Sequence, residues 1–284
     1  LSIVAIILSI NYTDPIWANE HYILSHRNYY GITRIFERNG VRFLSHDSTV
    51  HGAEYLNQKE KIIPLTYYHP QSPCAQLLGY DKSLKKVGVI GLGTGALATY
   101  LNPDQHIDFF ELDPDILGIA KKYFTYLARA TAHVNYIMGD ARISLENMEK
   151  QNYQMIIVDA FNGHSIPVHL ITKEAILSYR NQLDGNGIII FHVTNRYMDI
   201  KRPLIKTVFE SGAYAAYKDD VDIYTGSFGS EWVAATWDKY QYKKLISGFN
   251  WRPVEKEYVA SIRAWTDFYS TIIPFIKLEN LVKN

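Results

Sequence analysis

The stretch KKVGVIGLGTGALATYL, residues 85–101, constrains the fold more than any other part of the chain. Its apolar run ends at Gly91, and Gly93 and Gly95 follow before a run with helical spacing. A chain that leaves a buried strand through three closely spaced glycines can turn tightly and bring its backbone N–H groups against a ligand. Four more apolar runs follow: IDFFEL, VNYIM, YQMIIVDAF and GIIIFHV. Between and after them the periodicity predicts helices over 115–126, 143–149, 171–183 and 200–211. Strand alternating with helix implies parallel strands joined by right-handed crossovers, hence a doubly wound α/β sheet. YTGSF and EWVAATW are expected to be antiparallel strands that close one sheet edge.

Three segments are expected. Residues 1–21 begin with LSIVAIILSI, too short to span a bilayer, which takes about 20 helical residues. A core strand, a signal-peptide core or the end of a transmembrane helix would each fit, and the last is preferred. Residues 22–80 form an N-terminal β-hairpin region, with a turn at Arg38-Asn39-Gly40 and a helix start near the end. Residues 81–284 form the nucleoside-binding domain. The 29 basic and 29 acidic residues cancel, so nothing favours broad electrostatic binding to nucleic acid or to anionic lipid. The single cysteine, Cys74, excludes an internal disulfide and reads as an ordinary buried thiol.

The glycine loop alone suits a dinucleotide as well as a nucleoside sulfonium, since G-x-G-x-x-A is also present with Ala96 last. The second strand ends in ELD, which places Glu111 about twenty residues beyond the glycines, where an acid accepts from ribose hydroxyls. The third ends in GDA: Asp140 can accept from an adenine amino group while the N–H of Ala141 meets a ring nitrogen. The three signals together favour an S-adenosylmethionine-type nucleoside. The alternative is that Glu111 and Asp140 only cap helices. Asp159, at the end of the fourth strand, stands at the mouth of the same crevice and precedes a loop fit to act as a lid. His164 and His169 in that loop read as solvated or structural, and His192 as a satisfied core histidine. No metal site is expected.

The order of RNYYGITRI, GVRFLSHDSTVHG, YYHP, VIGLGTG, FFELDP, GDAR and IIVDAF resembles the spermidine synthase family of aminopropyltransferases over residues 22–237. HSIPVHLIT, HVTNRY and WTDFYSTIIP resemble the members fused to bacterial membrane segments. The resemblance implies a Rossmann-like, class I methyltransferase-type sheet. It also implies aminopropyl transfer from decarboxylated S-adenosylmethionine to a polyamine or other amine, with release of methylthioadenosine. In that reading Gly91, Gly93, Thr94 and Gly95 cradle the donor, Glu111 holds its ribose and Asp140 and Ala141 its adenine. Tyr30 and His51 approach it from the N-terminal region. Asp159 orients and deprotonates the attacking amine, with Tyr68 beside it, and His69 and Asn162 line the acceptor site. A position on the cytoplasmic face, anchored through a preceding membrane portion, and a homodimer are further expectations.

Two positions depart from the family pattern. The usual loop acid is Thr94, and a second acid three residues beyond the catalytic one is Asn162. One charge pair at about 4 Å contributes roughly 4 kcal/mol at an effective dielectric near 20, before desolvation. Thr94 would tolerate a donor that keeps its carboxylate, so intact S-adenosylmethionine is the alternative donor, with methyl transfer, aminocarboxypropyl transfer or cleavage to methylthioadenosine as reactions. A non-catalytic nucleoside sensor belonging to a membrane protein is the third reading.

Overall fold

A computed structural model of the chain describes residues 21–47, 49–57, 62–81, 83–161, 166–220 and 226–278. The apolar stretch of residues 1–20, Asn162, His164, Tyr224 and Thr225 lie outside the described residues.

The N-terminal region is a four-stranded antiparallel meander of β1 (Tyr22–Asn28), β2 (Gly31–Arg38), β3 (Val41–His46) and β4 (Thr49–Tyr55). Exposure alternates along β1, as expected where one face packs and the other meets water. Helix Pro73–Tyr80 follows, with Ser72 accepting from the Ala75 N–H and Pro73 in the first turn, where its missing N–H costs nothing. Its buried residues include Cys74, in keeping with an inert thiol.

The second sheet contains β5 (Lys86–Ile90), β6 (His106–Glu111), β7 (His133–Met138), β8 (Tyr153–Val158), β9 (Leu183–His192), β10 (Tyr214–Asp219), β11 (Glu231–Thr236) and β12 (Arg252–Pro253). Their order is β12-β10-β11-β9-β8-β5-β6-β7. The five strands from β9 to β7 are parallel, and β11, β10 and β12 add antiparallel to the β9 side. Successive side chains of a strand point to opposite faces. Accordingly Val87, Val89, Ile107, Phe109, Met155 and Ile157 pack on one side of the sheet, while Ile90, Phe110, Ile156, Val158, Ile189 and Phe191 pack on the other. Burial on both faces explains why these strands read as unbroken apolar runs. After β5 the chain crosses to β6, whereas β8 lies on the other flank, so strand order reverses between β5 and β8. Ligands of such sheets bind outside the strand ends at that crevice.

Three expectations change. The element after the glycine loop is a short 3₁₀ turn, Ala96–Tyr100. The helix expected over 115–126 breaks at Phe124 into Pro114–Tyr123 and Tyr126–Arg129. The antiparallel partner of β11 is β10, with β12 at the edge beyond it, and of YTGSF only residues 226–228 are described. Gly226 and Phe228 exchange backbone hydrogen bonds with Thr66 outside the sheet (2.7 and 3.2 Å). YAAYKD hid its strand because Ala and Lys are poor strand formers, and pairing with β11 overrides that preference.

Polar contacts tie the small sheet to the large one. Asn28 Nδ2 donates to both carboxylate oxygens of Asp113 (2.9 and 2.8 Å). The Tyr126 hydroxyl donates to the Ala53 carbonyl at 2.6 Å, and Glu54, 4% exposed, accepts from the Thr125 N–H at 3.0 Å. Among the described residues no helix is long and apolar enough to cross a membrane.

Candidate active site

The carboxyl ends of β5, β6, β7 and β8 open on one cavity of about 160 Å³. The loops after these strands contribute Gly91, Gly93, Glu111, Asp140, Ala141 and Asp159 to its lining, and the small sheet contributes Tyr30, His46 and His51. Gly91 has φ +102, and a Cβ there would lie 2.4 Å from the carbonyl oxygen of Asp159. Only glycine lets the two strand ends come this close.

Glu111 accepts from the Leu92 N–H of the glycine loop and from the Asp113 N–H, both at 2.9 Å. Burial pushes its pKa up, opposed by these backbone N–H groups. It is therefore no helix cap: Asp113 caps helix Pro114–Tyr123, accepting from the Asp115 N–H at 3.0 Å. Asp140 does cap its helix, Ala141–Asn147, through Oδ1 to the Ile143 N–H at 2.9 Å. Its Oδ2 lies 3.0 Å from His169 Nε2, so His169, exposed to solvent as expected, also stands at the cavity wall.

Asp159 is almost fully buried, with 5% of its side chain exposed. The Tyr68 hydroxyl donates to Oδ2 at 2.7 Å, and His192 Nδ1 lies 2.8 Å from Oδ1. Burial, with Asp159 adding to it, drives the Tyr68 pKa well above the tyrosine range, so the phenol keeps its proton. Tyr67, whose ring centre is 5.0 Å from that of His192, is pushed up to about 12 by burial and then by Asp159.

His51 lines the cavity beside the glycine loop, and its Nε2 is buried with no hydrogen-bond partner. Its pKa is lowered to about 4, chiefly by burial and then by His46, so the imidazole is neutral near pH 7. A neutral imidazole in the cavity wall with a buried, unpartnered nitrogen is a group that still lacks a hydrogen bond.

Other expected residues fall elsewhere. Thr94 is 1% exposed and turned toward the small sheet; a Cβ on Gly52 would lie 2.6 Å from its methyl carbon and 2.7 Å from its hydroxyl. That hydroxyl has no hydrogen-bond partner, and Thr94 does not line the cavity. Gly95 is also off the cavity, packed so that a Cβ would meet the Leu127 side chain. His69 is off it too: its Nδ1 accepts from the Gln71 N–H at 3.3 Å, and burial lowers its pKa while Asp220 opposes. Asn162 lies outside the described residues. The lining or contacting residues that sequence reasoning missed include His46, Asp113 and His192. Register carried a signal for His192: Val158 of β8 pairs with Phe191 of β9, so Asp159 and His192 leave neighbouring strands side by side.

Residues 76–240 match the spermine/spermidine synthase domain model. A polyamine aminopropyltransferase of Vibrio vulnificus is 30% identical over 186 residues, 62% of this chain and 60% of its own length. Spermidine synthase 2 of Arabidopsis thaliana is 26% identical over 174 residues, 57% of this chain and 51% of its own. An eEF1A lysine and N-terminal methyltransferase of Xenopus laevis is 26% identical over 132 residues, 43% of this chain but 19% of its own. The alignments thus span 60% or less of these relatives' lengths. In fold, the chain is similar to a probable spermidine synthase from Corynebacterium glutamicum, at a TM-score of 0.61 and 16% identity over 88% of this chain and 98% of that one. It is also similar to the Thermotoga maritima spermidine synthase, at 0.56 and 16% over 87% and 85%.

Proposed function

The chain belongs to the spermine/spermidine synthase domain family, and on that premise we propose that it moves an aminopropyl group from decarboxylated S-adenosylmethionine to a polyamine. The observation that carries the reading is the placement of Asp159. Its carboxylate is held by Tyr68 and His192 at the mouth of a crevice whose far wall is Glu111 and Asp140. Glu111 is the acid for the ribose hydroxyls, Asp140 and Ala141 take the adenine edge, and neutral His51 satisfies its free nitrogen on the donor.

The donor's sulfonium supplies a neutral leaving group, so the protein has two tasks: alignment and proton removal. The amine nitrogen forms a bond to the aminopropyl carbon attached to sulfur, that carbon–sulfur bond breaks, and methylthioadenosine leaves. The proton lost by the amine goes to Asp159. Tyr68 stays protonated throughout and holds the carboxylate from one side.

A second reading, use of intact S-adenosylmethionine, is favoured by Thr94. The glycine loop has no acid there, and the threonine faces Gly52 instead of the cavity. Partial similarity to a methyltransferase agrees with that reading. Calorimetric titration with each donor, then mass spectrometry after addition of putrescine, separates the two. Tighter binding of the decarboxylated donor with putrescine-dependent methylthioadenosine supports aminopropyl transfer. Preference for the intact donor supports the second reading, and binding of both without any product removes the transferase reading.

A further inference from the structure

Resting on the transferase reading, we propose that His192 is a positioning residue for Asp159, held in its Nδ1–H form between that carboxylate and Thr194. The two ring nitrogens have one side-chain partner each: Asp159 Oδ1 at 2.8 Å from Nδ1, and Thr194 Oγ1 at 2.8 Å from Nε2. Thr194 Oγ1 also accepts the Glu231 N–H at 2.8 Å, which leaves one lone pair and its own hydrogen for Nε2. The Asp159 carboxylate, which can only accept from Nδ1, selects the hydrogen. Nε2 is then an acceptor, and the ring proton sits on Nδ1, pointing at the carboxylate. The other neutral tautomer would set two acceptors, the Nδ1 lone pair and a carboxylate oxygen, 2.8 Å apart with no hydrogen between them. An unsatisfied buried acceptor of that kind is disfavoured.

The ring cannot evade this choice by rotating. Trp232 stacks on it with centroids 4.5 Å apart and planes 11° from parallel, and the rings of Tyr67 and Phe161 close in at 5.0 Å. A space-filling core histidine would be satisfied by any partner. Here the partner is Asp159, an acid of the cavity lining, and Tyr68 holds its other oxygen. A carboxylate tethered at both oxygens presents its remaining lone pairs in one direction, and misplacing a reacting group by about 1 Å costs on the order of 100-fold in rate.

Two measurements on the full chain test the assignment. Two-bond ¹⁵N–¹H correlation on histidine-labelled protein, with the His192 signals identified by their loss in His192→Asn, is expected to show the Nδ1–H tautomer. The Nε2–H tautomer overturns the assignment whether or not the protein turns over. In kinetics, His192→Ala is expected to lower kcat about 100-fold with donor affinity within about twofold. His192→Asn keeps an N–H near the Nδ1 position and is expected to recover about tenfold of that loss. A His192→Asn protein that is folded and binds donor, yet is no faster than His192→Ala, overturns the role. So does a His192→Ala protein whose donor affinity falls in step with its rate, the mark of a merely structural residue. Absence of any turnover by the wild-type chain counts against the transferase reading alone, because the tautomer measurement stands without it.

Discussion

The two halves of the cleft are built differently. On the Glu111 side each acid sits at or just past the end of the strand that delivers it, and apart from the His169 ring beside Asp140 its partners are backbone N–H groups a few residues away or on the neighbouring strand end. On the Asp159 side the carboxylate is held by side chains from the connection before the helix Pro73–Tyr80 and from the end of β9. The first half is secured by local backbone geometry, the second by long-range packing. Substitutions on the first should therefore alter binding, and on the second, rate.

The sharpest break of that comparison is Asp159→Asn, which should lower kcat about 1,000-fold while donor affinity stays within about twofold; a matching loss of affinity would show the halves are not separable. Next is Glu111→Gln. Hydrogen bonds to a charged group are worth about 1.5–3 kcal/mol, so the donor Kd should rise about 30-fold with kcat at saturating donor nearly unchanged, measured by calorimetry and steady-state kinetics.

A pH effect belongs to the small sheet. His51 titrates near 6.5 unfolded and at about 4 folded, so between these values the unfolded chain binds more protons. Its contribution to stability is full above about pH 6.5 and is lost as pH falls toward 4. Thermal melts of His51→Gln should show a shallower loss than the wild type across that window; equal slopes would mean His51 is not held neutral. The smallest effect is expected for Thr94→Val. Replacing an unpartnered buried hydroxyl by a methyl should raise stability by about 1 kcal/mol, or Tm by about 2–4 °C, with donor Kd unchanged. A weakened Kd would restore Thr94 to the donor site.

That division also explains what could be read from the sequence. Glu111, Asp140 and Asp159 were legible because an apolar run announces each strand and the chemistry sits at its end. The parallel order followed from strand–helix alternation. The direction of the Thr94 side chain was not legible, because Gly52, on another sheet, decides it. His192 read as core, and buried it is, but strand register turns burial into contact with Asp159. YAAYKD lacked the composition of a strand, yet pairing with β11 and β12 makes it one.

The Tyr126–Ala53 and Thr125–Glu54 hydrogen bonds lie outside the cavity, yet they anchor the strand that carries His51 and Gly52. That strand in turn sets the wall beside the glycine loop. Selection on ligand preference therefore has a route that leaves every lining residue intact: drift at residues 53–54 or 125–126 can retune the wall at a distance. Two natural variants with identical linings need not share one preference, and comparing lining residues alone would miss the difference.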